Sequence, residues 1–240
     1  MLFAQSTAVV TGAGSGIGRA IAIALGREGS TLCLVGRRPQ ALEAVAGCVR
    51  NMGGRAICLP ADLASDSDIQ ALATQVRTEL RQLDILVHSA AIYRSGPVSA
   101  APLDDFDVQY RTNLRGPYAL TQALLPILRQ SCGQVVFINS SAGLSAKAGC
   151  SQYGATKNGL RAIADSLREE VNGNGVRVLS LFAGRTATAM QEAIRMQEGQ
   201  VYRAELLIQP EDVAAMLIAA MALPRSAEVT EIRIRPMTKN

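Results

Sequence analysis

One histidine, His88, occurs in the 240 residues, and no pattern of His, Cys and acidic residues at ligand spacing accompanies it. A zinc centre needs three or four such donors, so no metal site is expected. The five cysteines (Cys33, Cys48, Cys58, Cys132 and Cys150) are odd in number and form no CxxC pair, which fits a reducing cytoplasm. No apolar run approaches the ~20 residues needed to cross a bilayer, and the first residues lack a charged secretory leader, so no membrane partner is expected. The net charge of +4 is spread along the chain without a basic stripe, which argues against nucleic acid. A 48% hydrophobic content with 18% charged residues describes a globular chain long enough to bury a substantial core. With no linker, repeat or low-complexity tract, the reading is one domain over residues 1–240.

What is present alternates. Short β-branched runs at 7–11, 31–35, 56–59, 85–88, 135–139, 176–182 and 231–235 are separated by helical patterns at 16–29, 39–52, 67–81, 113–130, 153–172 and 210–222. Several runs are continuously apolar, as expected for parallel strands covered on both faces. The pattern predicts an α/β fold, a Rossmann-type doubly wound sheet of seven parallel strands with helices on both faces. The 113–130 helix is apolar around much of its girth and contains Pro126, which should kink or weaken it. Such a helix suits either a homodimer or homotetramer contact or simple burial in one subunit.

The first strand runs into Thr11-Gly12-Ala13-Gly14-Ser15-Gly16-Ile17-Gly18 and then directly into a helix. Glycines there permit a tight turn and close backbone approach, and a helix N-terminus attracts pyrophosphate. Gly12, Ser15, Gly16, Ile17 and Gly18 are therefore candidates to hold a dinucleotide. The second strand ends in Arg37-Arg38, with no carboxylate before Glu43. A carboxylate at that position suits a ribose 2′-hydroxyl, whereas arginine suits a 2′-phosphate. NADP(H) is thus expected over NAD(H). Asp62 and Leu63, after the third strand, are placed to meet the adenine; a helix-capping role suits Asp62 or Ser65 as well.

Tyr153 and Lys157 lie four residues apart on one helix, so the phenol and the ammonium share a face. A cation ~4–5 Å away at an effective dielectric of ~20 favours the phenolate by roughly 3–4 kcal/mol, enough to lower a free pKa of ~10 by two or so. A phenol made that acidic exchanges protons with a substrate oxygen. The combination of GxxxGxG at 12–18, Asn113, Ser140 with Gly143, and YxxxK at 153–157 resembles the classical short-chain dehydrogenase/reductase (SDR) family over essentially the whole chain. The resemblance implies that Tyr153 is the general acid or base and that Ser140 steadies the substrate oxygen. It further implies that Lys157 lowers the phenol's pKa and binds the nicotinamide ribose, and that Asn113 positions a relay water. Capping a helix remains an alternative for Asn113, and a plain turn hydroxyl for Ser140. It also places Ser89, Ala90 and Ala91 beside the cofactor, with Gly184, Thr186 and Thr188 near the nicotinamide.

Two stretches depart from the family pattern. His88-Ser89-Ala90-Ala91 stands where Asn-Asn-Ala-Gly is usual, and Ala183 stands where a proline usually precedes Gly184. His88 is expected to be a hydrogen-bonded strand terminus, not a catalytic group. The substrate pocket should draw on residues 92–97, 142–150 and 185–207, the last reading as a mobile lid carrying Met190, Ile194, Met196 and Tyr202. Arg94, Lys147 and Arg185 near its mouth suit an anionic substrate, although solvated rim charges would look the same. The expected function is NADP(H)-dependent interconversion of a small-molecule carbonyl and a secondary alcohol. The alternatives are a non-catalytic NADP(H)-binding regulator or scaffold, and a dehydratase or epimerase on the same scaffold.

Overall fold

Strands fully buried along their length sort their side chains onto two opposite faces, and each face needs its own helical cover. In the computed structural model, which describes residues 1–238, seven strands form one parallel sheet in the order β3-β2-β1-β4-β5-β6-β7. They are β1 (Thr7–Thr11), β2 (Thr31–Gly36), β3 (Arg55–Pro60), β4 (Ile85–His88), β5 (Gln134–Ser140), β6 (Arg177–Ala183) and β7 (Glu231–Ile234). The predicted strands are all present, and their bounds shift by only a residue or two.

Alternate residues supply the two cores. Val10, Leu34, Val87 and Leu181 face α1 (Gly16–Arg27), α2 (Pro39–Asn51) and α8 (Pro210–Met221). Val9, Val35, Leu86 and Phe137 face α3 (Asp66–Glu79), α5 (Gly116–Gln130) and α6 (Ser151–Val171). Helices therefore cover both faces, as the alternation predicts.

Three features correct the sequence reading. A helix α4 (Leu103–Tyr110) precedes the predicted 113–130 helix and is joined to α5 by a π-helical turn, Arg111–Arg115, that contains Asn113. A second unpredicted helix, α7 (Ala189–Gln197), occupies the middle of the predicted lid. Third, α5 continues through Pro126 from Gly116 to Gln130. One row of α5 (Leu120, Leu124, Leu128) is fully buried against the sheet, while Tyr118 is exposed, so the helix is amphipathic and not apolar all round.

The strand order reverses direction between β1 and β4, and in open α/β sheets ligands bind beyond the carboxyl ends at that point. Thr11 joins the two strand ends there: its hydroxyl accepts from the Ser89 and Ala90 N–H groups at 3.0 and 3.2 Å and donates to the Val87 carbonyl at 3.3 Å. Gly12 follows at φ +67°, and a Cβ there would stand 2.8 Å from the backbone of Ala90. Only glycine lets the turn leave β1 and pass this close to the β4 end.

Candidate active site

A cleft of about 400 Å³ opens at this reversal point. At one end it is lined by the predicted turn residues Gly12, Ser15, Gly16, Ile17 and Gly18, and by Arg37 and Arg38 at the end of β2. Ser15 precedes α1 without a side-chain cap, and no acidic residue occupies the first turn. The helix therefore presents its free N–H groups and its positive dipole end to the cleft. Neither Arg37 nor Arg38 forms an ion pair among the described residues. A glycine cradle, an uncapped helix start and two unpaired guanidinium groups together fit a dinucleotide with an extra phosphate.

Asp62 and Leu63 line the same end. The Asp62 carboxylate accepts from Ala64 N–H at 3.0 Å, while the cap of α3 is Ser65, whose hydroxyl accepts from Asp68 N–H at 3.3 Å. Ser89, Ala90 and Ala91 form the floor after β4, and Gly184, Thr186 and Thr188 form the opposite side after β6. Thr188 is also the cap of α7, accepting from Gln191 N–H at 3.2 Å.

Midway along the cleft, Ser140 at the end of β5 stands with Tyr153 and Lys157 from the first two turns of α6. Lys157 Nζ donates to the Ile138 carbonyl at 2.9 Å and lies 5.9 Å from the Tyr153 ring centroid. Both side chains are nearly sealed from water, at 3% and 9% exposure. That burial reverses the expected electrostatics. It pushes the Tyr153 phenol up to about 12, with the Ser140 hydroxyl pulling the other way, and it pulls the Lys157 ammonium down to about 8. Sequence spacing predicts a phenol lowered by its cationic neighbour. In the chain by itself, loss of solvent disfavours both charged forms. Tyr153 is therefore a neutral donor at physiological pH.

Ser140 also serves its own turn, accepting from Ala142 N–H at 3.2 Å while lining the cleft. Asn113 stands one layer behind the cleft wall and is fully buried. Its amide accepts from Ile92 N–H at 2.8 Å and donates to the Ile92 carbonyl at 2.9 Å and to Thr156 Oγ1 at 3.3 Å. It caps no helix, because helical backbone runs through it on both sides. His88 ends β4 as expected: it is buried, shares a hydrogen bond with Thr121 at 2.7 Å and stacks on Phe137. Burial, with Lys157 nearby, drops its pKa to about 3, so it stays neutral.

Gly143 packs the turn after Ser140 against α6. A Cβ there would stand 2.8 Å from the Lys157 carbonyl oxygen and 2.9 Å from Asn139 Oδ1. Neither contact is the free end of a flexible chain, so Gly143→Ala should cost about 1–3 kcal/mol, in the range of other overpacked sites. A urea midpoint equal to that of the parent protein would contradict this packing.

The other end of the cleft draws on the three predicted segments. Tyr93, Cys150, Met190 and Ile194 line it, whereas Met196 is 78% exposed and lies outside it. Of the three predicted rim cations, Arg94 lies off the cleft and pairs with Asp105 at 3.4 Å. Arg185 lines the cleft but is engaged by Glu198 at 3.0 Å, leaving Lys147 as the cation without an ion pair among the described residues there. The anionic-substrate expectation thus loses two of its three supports. Sequence reading missed Gln191 and Glu198, which line the cleft with Ile194 on one face of α7 and its C-cap. Their i, i+3, i+7 spacing is a helical signal, but the mixed polarity hides it.

Against known proteins, a family described as short chain dehydrogenase matches residues 6–199. An uncharacterised oxidoreductase of Staphylococcus epidermidis is 32% identical over 234 residues, covering 97% of this chain and 98% of its own. A metagenomic short-chain oxidoreductase solved in complex with NADP superposes with a TM-score of 0.85 at 29% identity, over 100% of both chains. A short chain dehydrogenase from Burkholderia cenocepacia, also solved with NADP, gives 0.86 at 28% identity over 98% of each chain.

Proposed function

This chain belongs to the short-chain dehydrogenases, and on that premise we propose that it is an NADP(H)-dependent oxidoreductase interconverting a carbonyl and a secondary alcohol. The observation that carries this reading is Ser140, Tyr153 and Lys157 on the wall of a cleft whose far end offers Arg37, Arg38 and the glycine turn. A nicotinamide bound there supplies or accepts the hydride. Arg37 and Arg38 would hold the 2′-phosphate, the α1 N-terminus the pyrophosphate, and Gly184, Thr186 and Thr188 the nicotinamide side of the cleft. NADP in the two solved relatives supports the same choice.

The proton is the protein's task. Tyr153, kept neutral by burial, donates its O–H hydrogen to the substrate oxygen during reduction. The phenolate left behind is stabilised by the Lys157 cation, whose depressed pKa of about 8 lets it return a proton. The Ser140 hydroxyl donates to the same substrate oxygen and stabilises charge as it develops. Asn113 supports the loop at Ile92 and, through Thr156, the α6 turn that carries Tyr153.

We assign the catalytic unit to a single domain over residues 1–240, with 185–207 as a substrate lid. Lys239 and Asn240 lie outside the described residues. The five free thiols suit a reducing cytoplasm. Exposed Leu103, Phe106, Tyr110 and Tyr118 on α4 and α5 suit a homodimer or homotetramer contact.

The direct test is a panel of ketones, aldehydes and secondary alcohols followed at the nicotinamide absorbance band, with NADP(H) and NAD(H) in parallel. Cofactor-dependent turnover is expected, faster with NADP(H). Binding without turnover across the whole panel would remove the reading. Replacing Arg37 and Arg38 together by alanine should lower the kcat/KM ratio of NADPH to NADH at least tenfold, the equivalent of ~1.4 kcal/mol. A ratio unchanged by that double substitution would unseat the 2′-phosphate assignment.

A further inference from the structure

Tyr93 sits in a stretch without regular structure, yet both of its neighbours are fastened by buried amides. Asn113 holds Ile92 by its N–H and its carbonyl at 2.8 and 2.9 Å. Gln109 accepts from Arg94 N–H at 2.9 Å, and its own Nε2 donates to the Asp105 carbonyl and to Gln152 Oε1, both at 3.1 Å. Both amide residues are fully buried. A third tie follows, as Gly96 N–H donates to the Gly149 carbonyl at 2.9 Å, joining this loop to the turn before α6.

The side chain is fixed as firmly as the backbone. Its ring meets the Tyr153 ring edge to face, with centroids 5.1 Å apart and planes at 68°. Its hydroxyl shares a hydrogen bond with Cys150 Sγ at 3.1 Å, at the residue preceding α6. Burial and the Cys150 thiol push the phenol up to about 12, so Tyr93 adds no charge to the cleft. An aromatic group anchored at backbone, ring edge and hydroxyl is a wall and not an adaptable surface.

We propose that Tyr93 is the specificity-determining residue of the cleft. It stands as a fixed wall beside Tyr153 that admits carbonyl compounds with one small substituent and rejects those with two bulky ones. This rests on the carbonyl-reducing function proposed above. A substrate oxygen within hydrogen-bond reach of the Tyr153 hydroxyl brings its carbon close to that shared ring edge. The substituent on the Tyr93 side must then fit in the space the ring leaves. The clamps from α4 and the π-helical turn hold the backbone on both sides of Tyr93, and the ring itself is held by its hydroxyl's bond to Cys150 and its edge contact with Tyr153.

The test uses butanone as the small probe and benzophenone as the bulky one, with NADPH, on wild type, Y93A, Y93V and Y93F. Wild-type turnover of butanone tests the functional reading itself. If wild type reduces neither probe nor any member of the wider panel, that reading fails before any variant is compared, and this proposal falls with it. Given turnover, the benzophenone-to-butanone ratio of kcat/KM should rise at least tenfold in Y93A and Y93V and stay within twofold of wild type in Y93F. NADPH affinity unchanged in all four confirms that the cofactor end is intact. Gln109→Ala, which releases Arg94, should raise the ratio by a smaller factor. The proposal is overturned if Y93A and Y93V change both probes by the same factor, or if Y93F alters the ratio as much as Y93A.

Discussion

Tyr153→Phe is expected to lower turnover of any carbonyl substrate by roughly 10³-fold, within the ~10²–10⁴ that a positioned proton donor contributes. The ring stays, and with it the packing against Tyr93 and the burial of α6; only the hydroxyl, the proposed proton donor, is lost. NADPH affinity should therefore change little, because Arg37, Arg38 and the glycine turn lie at the other end of the cleft. The check is a pair of measurements on the same sample, kcat from nicotinamide absorbance and affinity from cofactor fluorescence. Turnover near the wild-type rate would defeat the proton role. A parallel collapse of cofactor binding would show that the hydroxyl acts in binding instead.

Lys157→Met should separate stability from activity. The ammonium is buried with one carbonyl partner, and its pKa falls from an ordinary 10.5 to about 8. At ~1.4 kcal/mol per tenfold change in proton affinity, holding that charge destabilises the folded chain by roughly 3 kcal/mol at neutral pH. Methionine fills similar volume without the charge but leaves the Ile138 carbonyl without the Nζ contact, so a net gain of about 1–2 kcal/mol is expected. For a chain of this size that raises Tm by about 5 °C, while turnover falls at least a hundredfold.

The pH dependence carries the sign. Below pH 8 the lysine is charged in both states and its penalty is fully felt. Between pH 8 and 10.5 the unfolded chain keeps a proton that the folded chain has released, so wild-type stability rises with pH. Between pH 7 and 9 wild type should gain roughly 1 kcal/mol relative to Lys157→Met. Above pH 9, Cys33 and Cys58, both raised mainly by burial, work in the opposite direction, which limits the useful window. A variant less stable than wild type at pH 7, or one sharing its pH profile, would contradict the buried-cation account.

Most strands were legible because they are largely apolar runs between turn residues, and burial on both faces is what such runs require; β7, Glu231–Ile234, alternates charged and apolar residues at the sheet edge. The glycine turn and the cationic strand end that line one end of the cleft were legible for a related reason. Gly12 to Gly18, Arg37 and Arg38 bring backbone freedom and charge, properties that belong to the residue type and need no knowledge of neighbours. The helices α4 and α7 escaped because their buried residues are polar: Gln109 in one, Gln191 and Arg195 in the other. Hydrophobic periodicity reads helices that bury apolar stripes, and it is blind to helices held by amides and ion pairs.

From the chain of residues alone came the sheet, the glycine turn, the cationic strand end and the pairing of Tyr153 with Lys157 on one helical face. These depend on local periodicity and on spacings of a few residues, which the backbone geometry turns directly into position. The protonation of that pair, the second-layer place of Asn113 and the anchoring of Tyr93 were decided by tertiary structure. Each depends on how much water is excluded and on which distant groups arrive alongside: Ile138 beside Lys157, Ile92 beside Asn113, Cys150 beside Tyr93. Desolvation is a property of the packed assembly of elements, and no spacing within one helix encodes it.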